Sequence, residues 1–244
     1  MTAARPDRTA ETLSAWAGYW NLLTTAEQAA LRELGRPGEF RAGGVLCTEG
    51  EQSTHVFMLI TGWVKVLSAA GDGRELLLAL RGQGDVVGEI AGECDGFRTA
   101  TVKAAGLVRS LIVPYDRFTQ FLSAHPGADS AYRRAITQRW SEAASMLYSR
   151  SVHSGPQRLA ALLVDLAERH GTLGKGGTLI TIPLSQEEIA SLVGASRATV
   201  TRALSDWRHR GLISVNRRHL TITNTTPLHR IARRYPRRPA PPAT

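Results

Sequence analysis

The sequence predicts an α+β protein with an N-terminal unit of short strands, one long helix and a C-terminal winged helix-turn-helix. Three observations predict this fold class. Short β-rich runs broken by glycines fill residues 39–114, apolar residues at helical spacing follow, and a capping box with a glycine turn lies within residues 185–204. The chain has 244 residues, of which 43% are hydrophobic and 21% charged, so it can bury one large or two ordinary cores. This composition excludes wholesale disorder and a small disulfide-rich fold.

The N-terminal part is expected to contain a flexible tail over residues 1–21 and a strand-rich domain with short entry helices over residues 22–115. Thr24 or Thr25 can cap the first short helix. Many short strands with glycine turns indicate a closed or sandwiched antiparallel unit, and residues 71–73 suit a hairpin turn because glycine reaches positive φ angles. The predicted strands cover residues 45–47, 55–60, 63–67, 74–80, 100–105 and 107–113.

Residues 116–152 contain the predicted long helix. From Tyr132 onward, apolar residues separated by four, four, three and four positions form one stripe on a helix of about 24 residues, close to the 3.5-residue repeat of paired helices. The stripe needs a partner, which is either a second copy of the chain or the chain's own strand unit. The residues expected at a dimer interface are Ile136, Trp140, Ala143 and Leu147.

The charge of the chain is divided unevenly. Residues 1–150 carry 16 Lys plus Arg and 16 Asp plus Glu, whereas residues 151–244 carry 14 Lys plus Arg and 5 Asp plus Glu. The whole net charge of +9 therefore lies in residues 151–244. Lys and Arg attract phosphate backbones, which indicates a nucleic-acid partner. A membrane surface attracts the same charges, and a solvated basic surface that serves solubility is the third alternative.

Other functional classes have little support in the sequence. The longest apolar run has six residues, which is too short to span a bilayer, and the N-terminus lacks the apolar core of a secretory signal. Cys47 and Cys94 give neither a disulfide framework nor a metal framework, so we expect a cytoplasmic protein without a membrane partner. Catalytic motifs and metal-ligand spacings of histidine are absent, so we expect no catalytic residue, no metal and no enzymatic activity.

The most informative segment predicts a helix-turn-helix inside a C-terminal domain at residues 153–230. Ser185 and Glu188 form a capping box that starts a helix, and Gly194 ends that helix because glycine tolerates the left-handed conformation. Ser196 can cap a second helix that runs to about residue 210. Two helices joined by a tight glycine turn are typical of this motif, although an ordinary surface helical hairpin is the alternative.

The second helix of the motif carries donors near its N-terminal end, the end that enters the major groove in such proteins. Arg197 and Arg202 can each bond O6 and N7 of guanine, whereas Ser196 and Thr199 suit phosphate contacts. A basic turn between two short strands, residues 212–215 and 220–222, predicts a wing against the DNA backbone. The expected DNA-binding residues are Gln186, Ser196, Arg197, Thr199, Thr201, Arg202, Arg217 and Arg218. Residues 231–244 are expected to form a basic, proline-rich disordered tail.

A second group of candidate functional residues lies in the strand-rich domain. The segment Gly88-Glu89-Ile90 precedes a loop that is followed by Arg98-Thr99-Ala100. An arginine with backbone N–H groups can hold a phosphate, and a carboxylate can accept a hydroxyl proton. The pattern is weak by itself, because an ordinary β-turn salt bridge explains it as well.

Together these two segments resemble the cyclic-AMP receptor protein and fumarate-nitrate reduction regulator family of bacterial transcription factors, over roughly residues 22–223. The resemblance implies a cyclic-nucleotide-binding-type β-roll, a long dimerisation helix and a winged helix-turn-helix. It implies that Glu89 accepts the ribose 2′-hydroxyl, that Arg98 neutralises a cyclic phosphate and that Thr99 bonds it. The implied partners are a second copy of the chain, a pseudo-palindromic double-stranded DNA operator and RNA polymerase. The implied effector is cyclic AMP or another cyclic nucleotide.

The chain departs from the family's pattern at several positions. Members that respond to cyclic AMP usually hold adenine with a Thr-Ser pair on the dimer helix, where this chain has Ala143-Ala144. Ser141 or Ser145 are the possible substitutes. Ala198 replaces an acidic base-reading residue, so a different operator is expected. The N-terminal segment also lacks the cysteines of the oxygen-sensing branch, which argues against an iron–sulfur cluster.

Two further functional hypotheses are compatible with the sequence. The first is a regulator of the same family with a degenerate sensor, which binds DNA without an effector. The second is a cyclic-nucleotide-binding module that regulates a protein partner, with the basic domain contacting RNA or polymerase. Steep salt dependence without preference among DNA sequences would support the latter, since phosphate contacts carry no sequence information. Both activation and repression are compatible with the sequence.

Overall fold

The computed structural model describes residues 18–93, 96–216 and 219–232, with the backbone alone at Glu93. Within these ranges the chain forms an N-terminal domain of two sheets, a long helix, and a helical C-terminal domain with a third sheet. The predicted α+β fold class with its three parts is confirmed.

The chain enters the N-terminal domain through a short 3₁₀ helix, Tyr19–Leu22, and helix α1, Thr25–Leu34. Of the two candidate caps, Thr24 is the one used. Its Oγ1 accepts a hydrogen bond from the backbone N of Glu27 at 3.2 Å, and the Glu27 carboxylate accepts one from the backbone N of Thr24 at 2.7 Å. This reciprocal pair satisfies two N–H groups of the first turn.

The expected N-terminal tail, residues 1–21, is too long at its C-terminal end. Tyr19 and Trp20 are buried, and the Tyr19 ring meets Phe118 and Tyr132 edge-on, with ring centroids 6.1 Å and 5.9 Å apart. Burying two aromatic rings stabilises this stretch, although its own sequence shows no helical or strand period. Residues 1–17 lie outside the described residues.

Short antiparallel strands build the body of the N-terminal domain. In chain order they are β1 (Arg36–Phe40), β2 (Val45–Cys47), β3 (His55–Thr61), β4 (Val64–Ala69), β5 (Glu75–Arg81), β6 (Val86–Val87), β7 (Thr101–Ala104) and β8 (Val108–Pro114). They form one sheet of order β1-β8-β3-β6 and another of order β2-β7-β4-β5. Phe57, Val64, Val102 and Ile112 from the two sheets share one core. Cys47 is buried in the same core.

Helix α2 (Ile90–Glu93) lies between β6 and β7, and helices α3 (Tyr115–Ala124) and α4 (Pro126–Val152) follow β8. Helix α4 is the predicted long helix, with 27 residues. Its N-terminal half packs on the chain's own strand domain through Ala131 and Tyr132, with Ile136 partly buried beside them. Beyond Ile136 the stripe is exposed. The N-terminal half of α4 therefore packs on the chain's own domain, and the C-terminal half is available to a second copy of the chain.

The C-terminal domain surrounds its own core. Its elements are α5 (Gly155–His170), β9 (Thr172–Gly174), β10 (Gly177–Ile180), α6 (Gln186–Val193), α7 (Arg197–His209), β11 (Ile213–Val215), β12 (Leu220–Ile222) and α8 (Thr225–Ala232). Leu163, Ile189, Trp207 and Ile222 lie in the shared core. The predicted hairpin of the wing is present as β11 and β12, within a sheet of order β11-β12-β10-β9. The first two residues of the predicted tail, 231 and 232, belong to α8, which buried Leu228 anchors to the domain, and residues 233–244 lie outside the described residues.

The two domains contact each other through the β4–β5 hairpin and helix α6. Lys65 Nζ lies 2.6 Å from Glu188 Oε1, and Ser191 Oγ donates to the carbonyl oxygen of Leu77 at 3.0 Å. Leu67, Leu77 and Leu192 form a buried apolar cluster beside these contacts. The first helix of the helix-turn-helix is therefore docked on a sheet of the N-terminal domain.

A separate contact between the two domains makes stability depend on pH through His170, the last residue of α5. Its ring lies edge-on to Trp63 with the ring centroids 4.1 Å apart. Loss of water around the ring, and then the positive charge of Arg169, lower the pKa of His170 from 6.5 to about 4. Below pH 6.5 the unfolded chain binds a proton that the folded chain binds only near pH 4. The contribution of His170 to the free energy of unfolding is therefore fully present above pH 6.5 and decreases as the pH falls to about 4.

We expect the His170→Phe variant, which keeps a ring against Trp63, to lose this pH dependence. Urea unfolding measured between about pH 4.5 and 7.5 checks it, because the difference in free energy between the wild type and the variant should change with pH. Burial raises the pKa of Asp165 to about 6, which acts in the opposite direction, but it acts in both proteins and cancels in the comparison. Parallel curves for the two proteins would contradict the assignment.

Candidate effector site and DNA-binding surface

Glu89 is a buried carboxylate at the start of α2, with 4% of the residue exposed. Its Oε1 lies 2.5 Å from Nη1 of Arg139 on α4. Arg139 also donates through Nη2 to the carbonyl oxygen of Val86 at 2.6 Å and lies 3.7 Å from Asp85. Burial opposes the positive charge, but Glu89 and then Asp85 offset it and raise the pKa of Arg139 above its usual range. The segment predicted to bind an effector is thus connected to the long helix by a buried ion pair.

Arg98 is buried as well, with 3% exposed. Its guanidinium donates to the carbonyl oxygens of Gly88 at 2.7 Å and His55 at 2.8 Å, and also to the hydroxyl of Ser53. Burial lowers the pKa of Arg98, and its Nε has no hydrogen-bond partner among the residues described. Arg98 therefore has spare hydrogen-bonding capacity next to Glu89, as a site for an anion requires.

Gly88 is required between these two charged groups. Its φ angle is +83°, and a Cβ atom placed on it would overlap Nη1 of Arg98. The position thus needs glycine for both the backbone conformation and the close approach of the guanidinium. Of the other residues predicted for the effector site, Ile90 and Thr99 are exposed and Ala100 is half-buried. The structure brings Gly88, Glu89 and Arg98 together and leaves Thr99 toward solvent.

Arg139 was missed in the sequence because its partner lies 50 positions away. The signal that could have revealed Arg139 is its long, positively charged side chain in the helix segment that also carries the apolar stripe. Two more charged residues lie close to it and were missed as well. Nη1 of Arg81, at the end of β5, is 4.0 Å from Oε2 of Glu142 on α4. Ala143 and Ala144, which occupy the positions of the family's adenine-binding Thr-Ser pair, follow Glu142 directly and are exposed.

The helix-turn-helix is formed as predicted. Ser185 Oγ accepts from the backbone N of Glu188 at 3.1 Å, and the Glu188 carboxylate accepts from the backbone N of Ser185 at 2.7 Å. Gly194 ends α6 in the left-handed conformation, with φ of 61°. Ser196 Oγ then caps α7 by accepting from the backbone N of Thr199 at 3.1 Å. The expected turn chemistry therefore sets the angle between the two helices.

Helix α7 presents a polar face to solvent. Arg197 and Arg202 are exposed, whereas Val200, Leu204 and Trp207 on the opposite face are buried. This orientation leaves the two arginines accessible to a DNA groove.

The hydroxyl groups of the motif have roles inside the protein. Ser196 Oγ and Thr199 Oγ1 lie 2.9 Å apart at the start of α7. Thr201 Oγ1 donates to Oε1 of Gln186 at 2.6 Å, which links α7 to α6. All four residues were predicted to contact DNA, and Gln186 and Thr201 also hold the two helices together. The predicted wing contacts Arg217 and Arg218 lie outside the described residues.

Arg158 is a structural residue of the motif that the sequence did not reveal. Its guanidinium donates to the carbonyl oxygens of Val193 at 2.6 Å and Gly194 at 2.8 Å, and also to that of His153. It therefore ties the turn of the helix-turn-helix to the end of the long helix. The carbonyl groups of Val193 and Gly194 stand at the end of α6, where a positive charge is favourable.

The described part of the chain contains no helix that is long and apolar enough to cross a membrane. Within the same residues no cluster of His, Cys, Asp and Glu has the arrangement of a metal site.

Comparison with known proteins agrees with this architecture. Residues 37–125 match the family model of the cyclic nucleotide-binding domain, and residues 157–231 match that of the Crp-like helix-turn-helix domain. The chain is 34% identical over 217 residues to a CRP-like cAMP-activated global transcriptional regulator of Mycobacterium tuberculosis, covering 89% of this chain and 97% of that protein. It is 27% identical over 183 residues to the global nitrogen regulator of a Synechocystis strain, covering 73% and 80% of the two chains.

Among solved structures, a CooA mutant from Carboxydothermus hydrogenoformans has the same fold, with a TM-score of 0.71 and 22% identity, covering 89% of this chain and 96% of the other. Both halves of the chain are thus matched, and the first of these relatives is similar along nearly its whole length. The chain belongs to the Crp family of transcriptional regulators, DNA-binding proteins rather than enzymes, which combine a cyclic-nucleotide-binding domain with a helix-turn-helix.

Proposed function

We propose that the protein is a homodimeric, sequence-specific transcriptional regulator whose DNA binding is controlled by an anionic cyclic nucleotide in the N-terminal domain. The observation that carries this proposal is the buried pair between Glu89 and Arg139 at 2.5 Å. A ligand that bonds Glu89 must compete with or extend this pair, and so it acts directly on α4. Helix α4 leads into the C-terminal domain, where Arg158 bonds both its end and the turn of the helix-turn-helix. Occupancy of the site is therefore expected to bias the placement of α7.

An operator titration tests the effector site. We expect a cyclic nucleotide to change the affinity of the wild-type protein for its operator by about 5- to 150-fold, the usual size of coupling between two sites. In the Arg98→Gln variant, the loss of the cation should remove this response. The control is Arg109→Gln, which changes an exposed arginine on β8 that pairs with Glu39. An unchanged response in the Arg98→Gln variant would overturn the assigned site.

A second candidate function has a specific observation in its favour. Arg98 is already bonded to two backbone carbonyl groups and a hydroxyl, so the site is internally satisfied to a large extent without a ligand. This supports a regulator that binds DNA with no effector. Full operator affinity of the nucleotide-free protein, unchanged by added nucleotide, would favour this candidate over the effector-controlled one.

The dimer proposal rests on the exposed half of α4. Trp140 and Leu147 have 75% and 66% of their residue surface exposed, and Ala143 between them is exposed too. Three apolar positions at this spacing on one helix are typical of a paired-helix seam. A second copy that supplies the same stripe would cover them symmetrically.

We expect the Leu147→Glu variant to be monomeric at micromolar concentration, because a charge would be buried without a partner in the seam. Sedimentation equilibrium of the variant and the wild type measures this. The control is Leu173→Glu, the same change at an exposed position on β9 that is outside the stripe. A Leu147→Glu protein that dimerises as tightly as the wild type would place the interface elsewhere.

A further inference from the structure

Arg81 and Glu142 are charged residues beside the effector site that have no part in the proposed function so far. Arg81 ends β5, and Glu142 lies three positions after Arg139 on α4, so the two helix residues share one face. Nη1 of Arg81 and Oε2 of Glu142 are 4.0 Å apart. The charges of Arg139, Asp85, Glu142 and Glu89 all act on Arg81, which places it within the same cluster.

The geometry gives this pair a position relative to a bound nucleotide. Under the proposed function, Arg98 holds the phosphate and Glu89 the sugar hydroxyl. Glu89 in turn contacts Arg139 of α4 at 2.5 Å. The third part of the nucleotide, the base, then extends past Arg139 toward the next turn of α4 and the end of β5. Ala143 and Ala144 offer the base no side-chain hydrogen bond there, whereas Glu142 and Arg81 do.

Both side chains are held loosely enough to bond a ligand. Apart from Arg81, Glu142 meets Arg169 at 3.4 Å and Gln138 at 3.5 Å, which are long contacts beside the 2.5 Å pair of Glu89 and Arg139. Arg81 donates to the carbonyl oxygen of Leu80 at 2.9 Å. Burial, and then the charge of Arg139, lower the pKa of Arg81, so an additional acceptor near its guanidinium would be favourable.

The donor and acceptor pattern of this pair discriminates between purine bases. A carboxylate only accepts hydrogen bonds, through two oxygens, and a guanidinium only donates. Guanine presents adjacent N1–H and N2–H donors next to the O6 acceptor, so it can bond both oxygens of Glu142 and a donor of Arg81. Adenine presents one amino group beside the lone pair of N1, which one carboxylate oxygen would repel. The pair therefore matches guanine with three hydrogen bonds and adenine with fewer.

We propose that Arg81 and Glu142 select the base of the effector and that the preferred effector is a cyclic guanine nucleotide. This inference rests on the proposed function, because it requires a cyclic nucleotide in the site of Glu89 and Arg98. Arg81 and Glu142 are then specificity-determining residues, and the alanines that follow on α4 leave room for the base.

The test is a calorimetric titration of the full-length protein with cyclic GMP and, separately, with cyclic AMP. We expect cyclic GMP to bind about tenfold more tightly or better, the effect of one to two additional hydrogen bonds in a partly buried site. Glu142→Gln should weaken cyclic GMP binding by about tenfold and change cyclic AMP binding by less than about twofold, because an amide keeps only one acceptor oxygen. Arg81→Met should also reduce the preference for guanine. Glu39→Gln, a change to an exposed glutamate on β1, is the control and should leave both affinities unchanged.

The outcomes separate this inference from the function on which it rests. Equal or tighter binding of cyclic AMP to the wild type would overturn the guanine preference and leave the cyclic-nucleotide sensor standing. Absence of binding by both nucleotides would overturn both. A Glu142→Gln or Arg81→Met protein that loses both nucleotides to the same extent would show a structural role and overturn the assignment of base selection. A changed ratio of the two affinities is the result that a structural role would not give.

Discussion

Replacement of Arg139 with methionine is expected to lower the free energy of unfolding by about 3–5 kcal/mol. The substitution removes the partner of Glu89, a carboxylate with 4% of its residue exposed, and leaves that charge buried. It also removes the hydrogen bond to the carbonyl oxygen of Val86. Because the Glu89 carboxylate and the Val86 carbonyl oxygen are both inside the fold, little solvent is available to replace the lost guanidinium. Urea unfolding at neutral pH measures the loss.

Two variants control this result. Arg133→Met makes the same change on the same helix, but it breaks an exposed pair with Asp129, so we expect a loss of no more than about 0.5 kcal/mol. Combining Arg139→Met with Glu89→Gln should recover part of the lost stability, since the buried group is then neutral. A loss below about 1 kcal/mol for Arg139→Met alone would mean that Glu89 does not depend on this pair.

Alanine at both Arg197 and Arg202 is expected to weaken specific operator binding by about 2–6 kcal/mol, from about 1–3 kcal/mol for each lost base contact. Both side chains are exposed on the polar face of α7, so the free energy of unfolding should stay within about 0.5 kcal/mol of the wild type. Operator sequences selected from a random library provide the ligand. Fluorescence anisotropy with selected and scrambled duplexes, at one fixed salt concentration, measures affinity and specificity together.

Arg208→Ala is the matched control, because Arg208 is exposed on the same helix but near its C-terminal end. It should affect the selected and scrambled duplexes to a similar, small extent. The informative quantity for the double variant is the ratio of the two affinities. If both duplexes lose affinity equally, the two arginines contact phosphate, and base recognition lies elsewhere on the protein.

Local sequence signals were sufficient where the structure depends on neighbouring residues. The capping box of Ser185 and Glu188 and the left-handed Gly194 predicted the helix-turn-helix, since each acts within a few positions of the chain. Six strands between residues 45 and 113 were predicted by glycine-bounded β-rich runs for the same reason, whereas the two-residue strand β6 was not predicted. The predicted helix of about 24 residues was close to the observed 27, because a single apolar period marks its length.

Contacts between distant segments were not available from such signals. Glu89 was recognised in its motif, but its partner Arg139 lies 50 positions away, and Lys65 and Glu188 of the domain contact lie 123 positions apart. Tyr19 is another example, because its neighbours show no period and its burial depends on packing against distant rings such as those of Phe118 and Tyr132.

The sequence by itself determined the fold class, the helix-turn-helix with its exposed arginines, and the glycine and charged residues of the effector segment. These features follow from backbone conformation, capping and periodicity, which act over one or two turns of chain. Only the tertiary structure decided that Arg139 neutralises Glu89, that Arg81 and Glu142 lie beside this pair, and that α6 docks on the β4–β5 hairpin. The reason is physical: a buried charge is stable only with a partner, and the path of the chain determines which partner reaches it.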